Sequence, residues 1–262
     1  MKIKKGIIVL YNQRVEFSSS YRKFRSLNLP LLVIDNSTES EYIEHNKRIT
    51  SEDGNTYCSM GENAGLSKAY NHAIEILKEQ SYEDYILMMD DDTDFPEDFL
   101  EAMEKAIEEH SADIYLPIVQ AENHILSPCQ IENDRIRELE DQKHIDFSKL
   151  SAINSGMVIS MRVFDKIHYN EALFLDYVDH DFMRQVRNKN LKICIVNAVV
   201  HQSFSLWADT KEKASWRIQT LKKDLNVFYG KGLKNWWLVQ MIIMKRKLRY
   251  IARFKDISIL WK

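Results

Sequence analysis

The chain predicts an α/β fold: a mainly parallel central sheet flanked by helices, with a C-terminal helical extension. Short apolar runs of strand length recur at Ile7 to Leu10, Leu31 to Ile34, Tyr85 to Met89, Ile114 to Ile118 and Lys192 to Val196. Uninterrupted runs of this kind fit strands covered on both faces. Between them, Leu66 to Lys78 places Leu66, Tyr70, Ala73, Ile74 and Leu77 on one helical face, and Phe99 to His110 does the same through Phe99, Met103, Ala106 and Ile107. Strands alternating with helices imply a parallel sheet between helical layers. The length of 262 residues and a hydrophobic content of 45% suffice for one large domain with an appendage.

Taken in order, the first strand follows Lys2 to Lys5 and ends at Tyr11, Asn12, Gln13 and Arg14. The apolar run is too short for a signal peptide and no small-residue cleavage site follows, so a buried strand is the better reading. The second strand ends in Asp35, Asn36 and Ser37, and a loop from Gly61 leads into the helix at Leu66. The strand Tyr85 to Met89 runs into Asp90, Asp91 and Asp92. Pro96 suits the first turn of the next helix, with Asp94 as its cap. Gln120 to Leu150 is polar and weakly periodic, and reads as loop or short helix crossing the sheet. Beyond Phe204 the pattern is helical, through Trp216 to Tyr229 and Asn235 to Trp261. The expected division is a domain over residues 1–205 and a helical, basic extension over 206–262.

The net charge of −3 does not advertise nucleic-acid binding, but it is unevenly spread. Nine Lys or Arg and one acid, Asp256, lie between Lys231 and Lys262, a net +8 that leaves −11 on the first 230 residues. In the tail, Trp236, Trp237, Leu238, Met241, Ile242, Ile243 and Met244 mix with Lys245, Arg246, Lys247, Arg249 and Arg253. Such a mixture fits either a helix lying in an anionic membrane interface or an amphipathic helix packed on its own domain. No apolar run approaches the ~20 residues that span a bilayer. Cys58, Cys129 and Cys194 are odd in number and in no CxxC spacing, which argues against a disulfide framework or structural zinc and favours a reducing cytosol.

The triple aspartate is the strongest chemical signal. A buried strand that ends in Asp90, Asp91 and Asp92 gathers like charge where open α/β sheets bind ligands, and a divalent cation would relieve it. Asp90, Asp92, Asp94, Asp98 and Glu101 also match a calcium-loop register, but Phe95 stands where that loop requires glycine. A solvated acidic turn before a helix is the plain alternative. Gly61 to Asn71 could present backbone amides to a phosphate, although neither GxGxxG nor GxxxxGK[ST] is present. Val178, Phe182 and Val186 recur at helical spacing, which puts Asp179 in a first helical turn, solvent-facing and ionised as a general base must be. His201 follows the apolar Ile195 to Val200 and could offer an imidazole from a strand end, or be structural.

These clusters together resemble the inverting family 2 glycosyltransferases of the GT-A fold. The segments that carry the resemblance are VLYN at Val9 to Asn12, VIDNST at Val33 to Thr38, GENAGLSKAYNHAI at Gly61 to Ile74, MMDDDTDFPEDFL at Met88 to Leu100, NSGMVIS at Asn154 to Ser160, LFLDYVDHDFMRQV at Leu173 to Val186 and VVHQSFS at Val199 to Ser205. The resemblance implies a Rossmann-like nucleotide-binding sheet and a UDP- or dTDP-sugar donor. It implies that Tyr11, Asn12 and Asp35 bind base and ribose, that Asn63, Lys68 and Asn71 lie near the diphosphate, and that Asp90 and Asp91 contact the donor. Asp90 and Asp92 match the DxD acids that hold Mn2+ or Mg2+. DDD together with His201 is similar to the galactofuranosyl and rhamnosyl transferase branch, where the histidine joins the metal ligands. Asp179 matches the catalytic base, with Asp181 beside it as the weaker candidate. Val178 departs from the acid that many relatives carry there, and His168, Tyr169 and Asn170 replace a Gly-containing acceptor loop. The acceptor implied is a glycan or lipid-linked glycan at the cytoplasmic face of the plasma membrane.

Overall fold

The computed structural model describes residues 2–121, 124–132, 135–139, 145–202 and 210–261. The first half alternates strand and helix: β1 (Ile3–Leu10), α1 (Ser19–Ser26), β2 (Leu31–Asp35), α2 (Ser40–Glu52), β3 (Thr56–Ser59), α3 (Leu66–Glu79) and β4 (Tyr85–Met89). Next come β5 (Thr93–Asp94), α4 (Phe99–Glu109), β6 (Ile114–Ala121), β7 (His124–Ser127), β8 (Cys129–Glu132), β9 (Arg135–Glu138), β10 (Leu150–Ser151) and β11 (Val158–Ser160). The chain closes with α5 (Val178–Asn188), β12 (Ile193–Gln202), α6 (Lys211–Tyr229) and α7 (Leu233–Phe254).

The main sheet has the order β3-β2-β1-β4-β11-β6-β12-β5, with β7 on the side of β6. Strand β1 runs parallel to β2 on one side and to β4 on the other. The chain therefore builds outwards to β3, then reverses across β1 to β4, and the crevice at that reversal lies beside the carboxyl ends of β1, β2 and β4. Alternate residues feed two cores. Ile7, Val9, Leu32, Ile34 and Met88 pack with Tyr70, Ala73 and Leu77 of α3, whereas Ile8, Leu10, Leu31, Val33 and Met89 pack with Phe24, Phe99 and Met103. Gly6 has no room for a side chain, because a Cβ there would meet Met89 Cε at 2.6 Å and Leu31 Cδ2 at 2.8 Å.

Two sequence expectations are corrected. Gln120 to Leu150 carries strands in place of loop or helix: β7 extends the main sheet, and β10, β8 and β9 form a small antiparallel sheet of their own. Within this stretch, residues 122–123, 133–134 and 140–144 lie outside the described residues. Asp94 does not cap α4. It sits in β5, paired with His201 of β12, and the residue before the helix is Asp98, whose side chain makes no capping hydrogen bond.

The C-terminal helices have their own core, in which Ala214, Ile218, Leu221 and Leu225 of α6 meet Val239, Ile243 and Tyr250 of α7. The opposite side of α7 leaves Leu233, Trp237, Met241, Met244 and Leu248 exposed at spacings of three and four. No helix among the described residues is long and apolar enough to cross a membrane.

Candidate active site

The crevice beside β1, β2 and β4 is built by polar residues that follow each strand. After β1, Asn12 adopts a left-handed backbone with φ of 46°. Its side-chain oxygen accepts from Thr38 N at 2.8 Å, and its own N–H donates to Ser37 Oγ at 2.8 Å, so the ends of β1 and β2 are stitched together. Tyr11 beside it is half-exposed. Asp35 is fully buried, and its carboxylate accepts from Ser37 N at 2.8 Å, Asn46 Nδ2 at 2.9 Å and Tyr57 OH at 2.9 Å. These bonds tie the end of β2 to α2 and β3.

The glycine loop is held from the other side of the crevice. Gly65 has φ of 85°, and a Cβ there would lie 2.8 Å from the carbonyl oxygen of Phe174. That oxygen accepts from Leu66 N at 2.7 Å, the first N–H of α3. Gly65→Ala combines a disfavoured backbone angle with a backbone clash and should destabilise the fold by about 1–3 kcal/mol; an unchanged urea midpoint would count against this tight approach. Asn63 is half-buried in the loop and Lys68 is exposed one turn into α3. Asn71 is committed to the segment opposite, donating to Tyr169 O at 2.9 Å and accepting from Tyr169 N at 3.0 Å.

The three aspartates follow β4 and are half-buried. Serines at the start of α1, unremarked in the sequence, fix their backbone: Ser18 Oγ donates to Asp91 O at 2.8 Å, and Ser19 and Ser20 donate to Thr93 O at 3.0 and 3.1 Å. Gln13 donates to the Asp91 carboxylate and Ser155 to that of Asp90. The Gln202 amide reaches Asp90 Oδ2 at 3.0 Å and Asp92 Oδ1 at 3.4 Å. Burial raises the pKa of all three acids. Asp91 is pushed up to about 7 by burial and then by Asp92 and Asp90, Asp92 to about 6 by burial and then by Asp90.

This geometry tests the metal expectation. Asp90 and Asp92 are hard oxygen donors whose crowding disfavours ionisation, and one polar N–H already bridges them, an arrangement that suits a divalent cation. Strand alternation sends Gln202 to the acids and leaves His201 exposed beside Asp94. Among the described residues no three His, Cys, Asp or Glu side chains gather as a ready-made metal site.

Asp179 lies in the first turn of α5, as the periodicity predicts, and is half-buried there. Burial, and then the charge of Asp90, push its pKa up to about 8 against the N–H of Asn154, which reaches Asp179 Oδ2 at 3.3 Å. The expectation of a freely ionised carboxylate is corrected accordingly. Asn154 N thus holds Asp179 while the neighbouring Ser155 Oγ holds Asp90, and two consecutive residues bridge acids that lie far apart in the chain. Asp181 is occupied within α5, in an ion pair with Arg184 and accepting from Gln185 Nε2 at 3.1 Å.

Next to Asp179, His180 Nδ1 lies 2.8 Å from Ser151 Oγ. Burial, with Arg187 adding to it, pushes the imidazole down to about 4 from 6.5. Between those two values the unfolded chain binds the proton that the folded one refuses, so stability is lost as pH falls through the window. His180→Asn should flatten the fall in Tm from pH 6.5 to 4, and an unchanged slope would assign that fall to other groups.

With the site described, comparison with known proteins becomes informative. The sequence profile of glycosyl transferase family 2 matches residues 7–168. The chain belongs to glycosyl transferase family 2. No curated protein sequence matches this chain. Among solved structures it is similar in fold to S. aureus TarS, at TM-score 0.56 and 15% identity over 99% of this chain and 54% of TarS. The TarS 1–349 fragment in complex with UDP-GlcNAc gives TM-score 0.53 and 14% identity, covering 98% of this chain and 89% of the fragment. GalNAc-T7 with UDP, GalNAc and Mn2+ gives TM-score 0.58 and 12% identity over 86% of this chain and 47% of that one. The chain therefore spans about half the length of these TarS and GalNAc-T7 chains. Its mixed sheet, flanked by helices, is the GT-A fold.

Proposed function

We propose that this transferase moves a sugar from a UDP- or dTDP-activated donor to a hydroxyl group with inversion, and that Asp179 is the base. The observation that carries the reading is the bridge formed by Asn154 and Ser155 between Asp179 and Asp90. It brings one carboxylate with a pKa near 8 beside the acids that face the donor crevice. A base with a pKa near the working pH is matched to taking a proton from an acceptor hydroxyl in the transition state. Attack from the face opposite the nucleotide then inverts the anomeric carbon, with no need of a covalent sugar–enzyme intermediate.

Tyr11, Asn12 and Asp35 would meet base and ribose, and Asn63, Lys68 and Asn71 would lie near the diphosphate. Asp90 and Asp92 would hold Mn2+ or Mg2+, with Asp91 beside them towards the ribose. The metal, when bound, supplies positive charge to the departing nucleotide. The fold's likeness to the UDP-GlcNAc complex of the TarS fragment and to GalNAc-T7 with UDP and Mn2+ supports this donor chemistry. DDD keeps galactofuranose and rhamnose among the donors to be tried.

The acceptor we propose is a surface glycan, lipid-linked and reached at the cytoplasmic face of a membrane. The exposed stripe Leu233, Trp237, Met241, Met244 and Leu248, with Lys234, Lys245 and Arg249 around it, supports peripheral contact with anionic lipid. Two measurements test these readings. Purified protein should release UDP or dTDP from at least one sugar nucleotide in a panel supplemented with Mn2+, faster with an acceptor glycan; silence across the panel would overturn the transferase reading. Trp237→Asp and Met241→Asp together should weaken sedimentation with phosphatidylglycerol vesicles without changing that turnover in solution, and undiminished vesicle binding would assign the stripe another partner.

A further inference from the structure

We propose that Asp224 of α6 is a positioning residue for the transfer step, acting on Asp179 through the loop that precedes α5. The proposal rests on Asp179 as the base. Asp224 is buried at 1% exposure, and its carboxylate is filled by three successive backbone donors. Phe174 N lies 2.9 Å from Oδ1, and Leu175 N and Asp176 N lie 2.9 and 2.8 Å from Oδ2. An anion enclosed by consecutive N–H groups is a strong and directional clamp. Only Tyr177, with φ of 65°, and Val178 separate the clamped segment from Asp179.

The loop is anchored on both sides. Phe174 gives its N–H to Asp224 and its carbonyl to Leu66, so one residue joins α6 to the glycine loop of the donor crevice. Asp176 pairs with Arg217 of α6 at 3.5 Å. Arg184 of α5 donates to Phe228 O at 2.9 Å and lies over the Phe228 ring, 4.4 Å from its centroid. Helix α6 therefore grips both the approach to α5 and its second turn, although none of its described side chains reaches Asp90 or Asp179. A small displacement of a catalytic group lowers turnover steeply while leaving binding intact.

In Asp224→Asn the amide cannot accept from all three donors, so the loop is released in part. With whichever sugar nucleotide turns over in the panel, kcat should fall by about 10–100-fold. Donor KM, and the affinity for UDP in the presence of Mn2+, should stay within about twofold of the parent. In an Asp179→Asn background the added substitution should have little further effect, because residues that act as one unit are not additive. Asp224→Glu keeps the charge and both acceptor oxygens and should recover part of the lost kcat. An unchanged kcat in Asp224→Asn, a loss of equal size in the Asp179→Asn background, or failure of both Asp224 variants to fold would each overturn the proposal. If Asp179→Asn alone left turnover intact, the assignment of the base would fall instead.

Discussion

Asp179→Asn is expected to lower kcat for sugar transfer by about 10²–10⁴-fold, the range contributed by a positioned general base. The amide is nearly isosteric and can still accept from Asn154 N, so the start of α5 and the bridge to Ser155 should survive. The parent carboxyl is held at a raised pKa by burial and by Asp90, so a neutral amide suits the same surroundings. The variant should be at least as stable as the parent and should bind UDP with Mn2+ as well. Calorimetry beside single-turnover transfer separates these quantities. Transfer at the parental rate would move the base elsewhere, and lost UDP binding would make Asp179 a donor residue.

Asp90→Asn should act in the opposite order, abolishing metal-dependent donor binding while raising the melting temperature of the metal-free protein. Burial raises Asp92 and Asp179 most and the charge of Asp90 adds to it, so neutralising Asp90 removes a like-charge interaction from each. A gain of a few degrees in Tm is the expected scale for about 1 kcal/mol in a chain of this size. Activity should fall by at least about 100-fold, since metal assistance is worth several kcal/mol. His201→Ala, at an exposed position beside Asp94, should leave the Mn2+ titration unchanged. A Tm that fell in Asp90→Asn would mean that its bonds to Ser155 and Gln202 outweigh the repulsion.

Strands β1, β2, β4, β6 and β12 and helices α3 and α4 were legible because each carries its own apolar signature. Helix α2 carries none. Its buried positions are Asn46 and Thr50, and Asn46 is there to hold Asp35 and Gln13. Strands β7 to β10 are short and polar, and β5 exists only because β12 pairs with it, a partnership no local window contains. The site divides in the same way. The acids after β4 and Asp179 on α5, the proposed base, follow from chemistry near in sequence, but the raised pKa of Asp179 depends on burial and on Asp90, which a first-turn argument ignores. That Gln202 reaches the acids is a matter of strand parity, where one residue of register reverses the face. Asp224 looked like any acid on a polar helix, and its task is visible only once the loop is folded against it.

The clamp at Asp224 also bears on how such a chain can be divided. The recognisable family segment ends at residue 168, before the base, and the clamp lies further on, in a helix that resembles an appendage. A chain shortened to its apparent nucleotide-binding portion would keep every residue that faces the donor. It would also free the one loop that aims the base, and the loss of turnover would be mistaken for damage at a site that had never been touched.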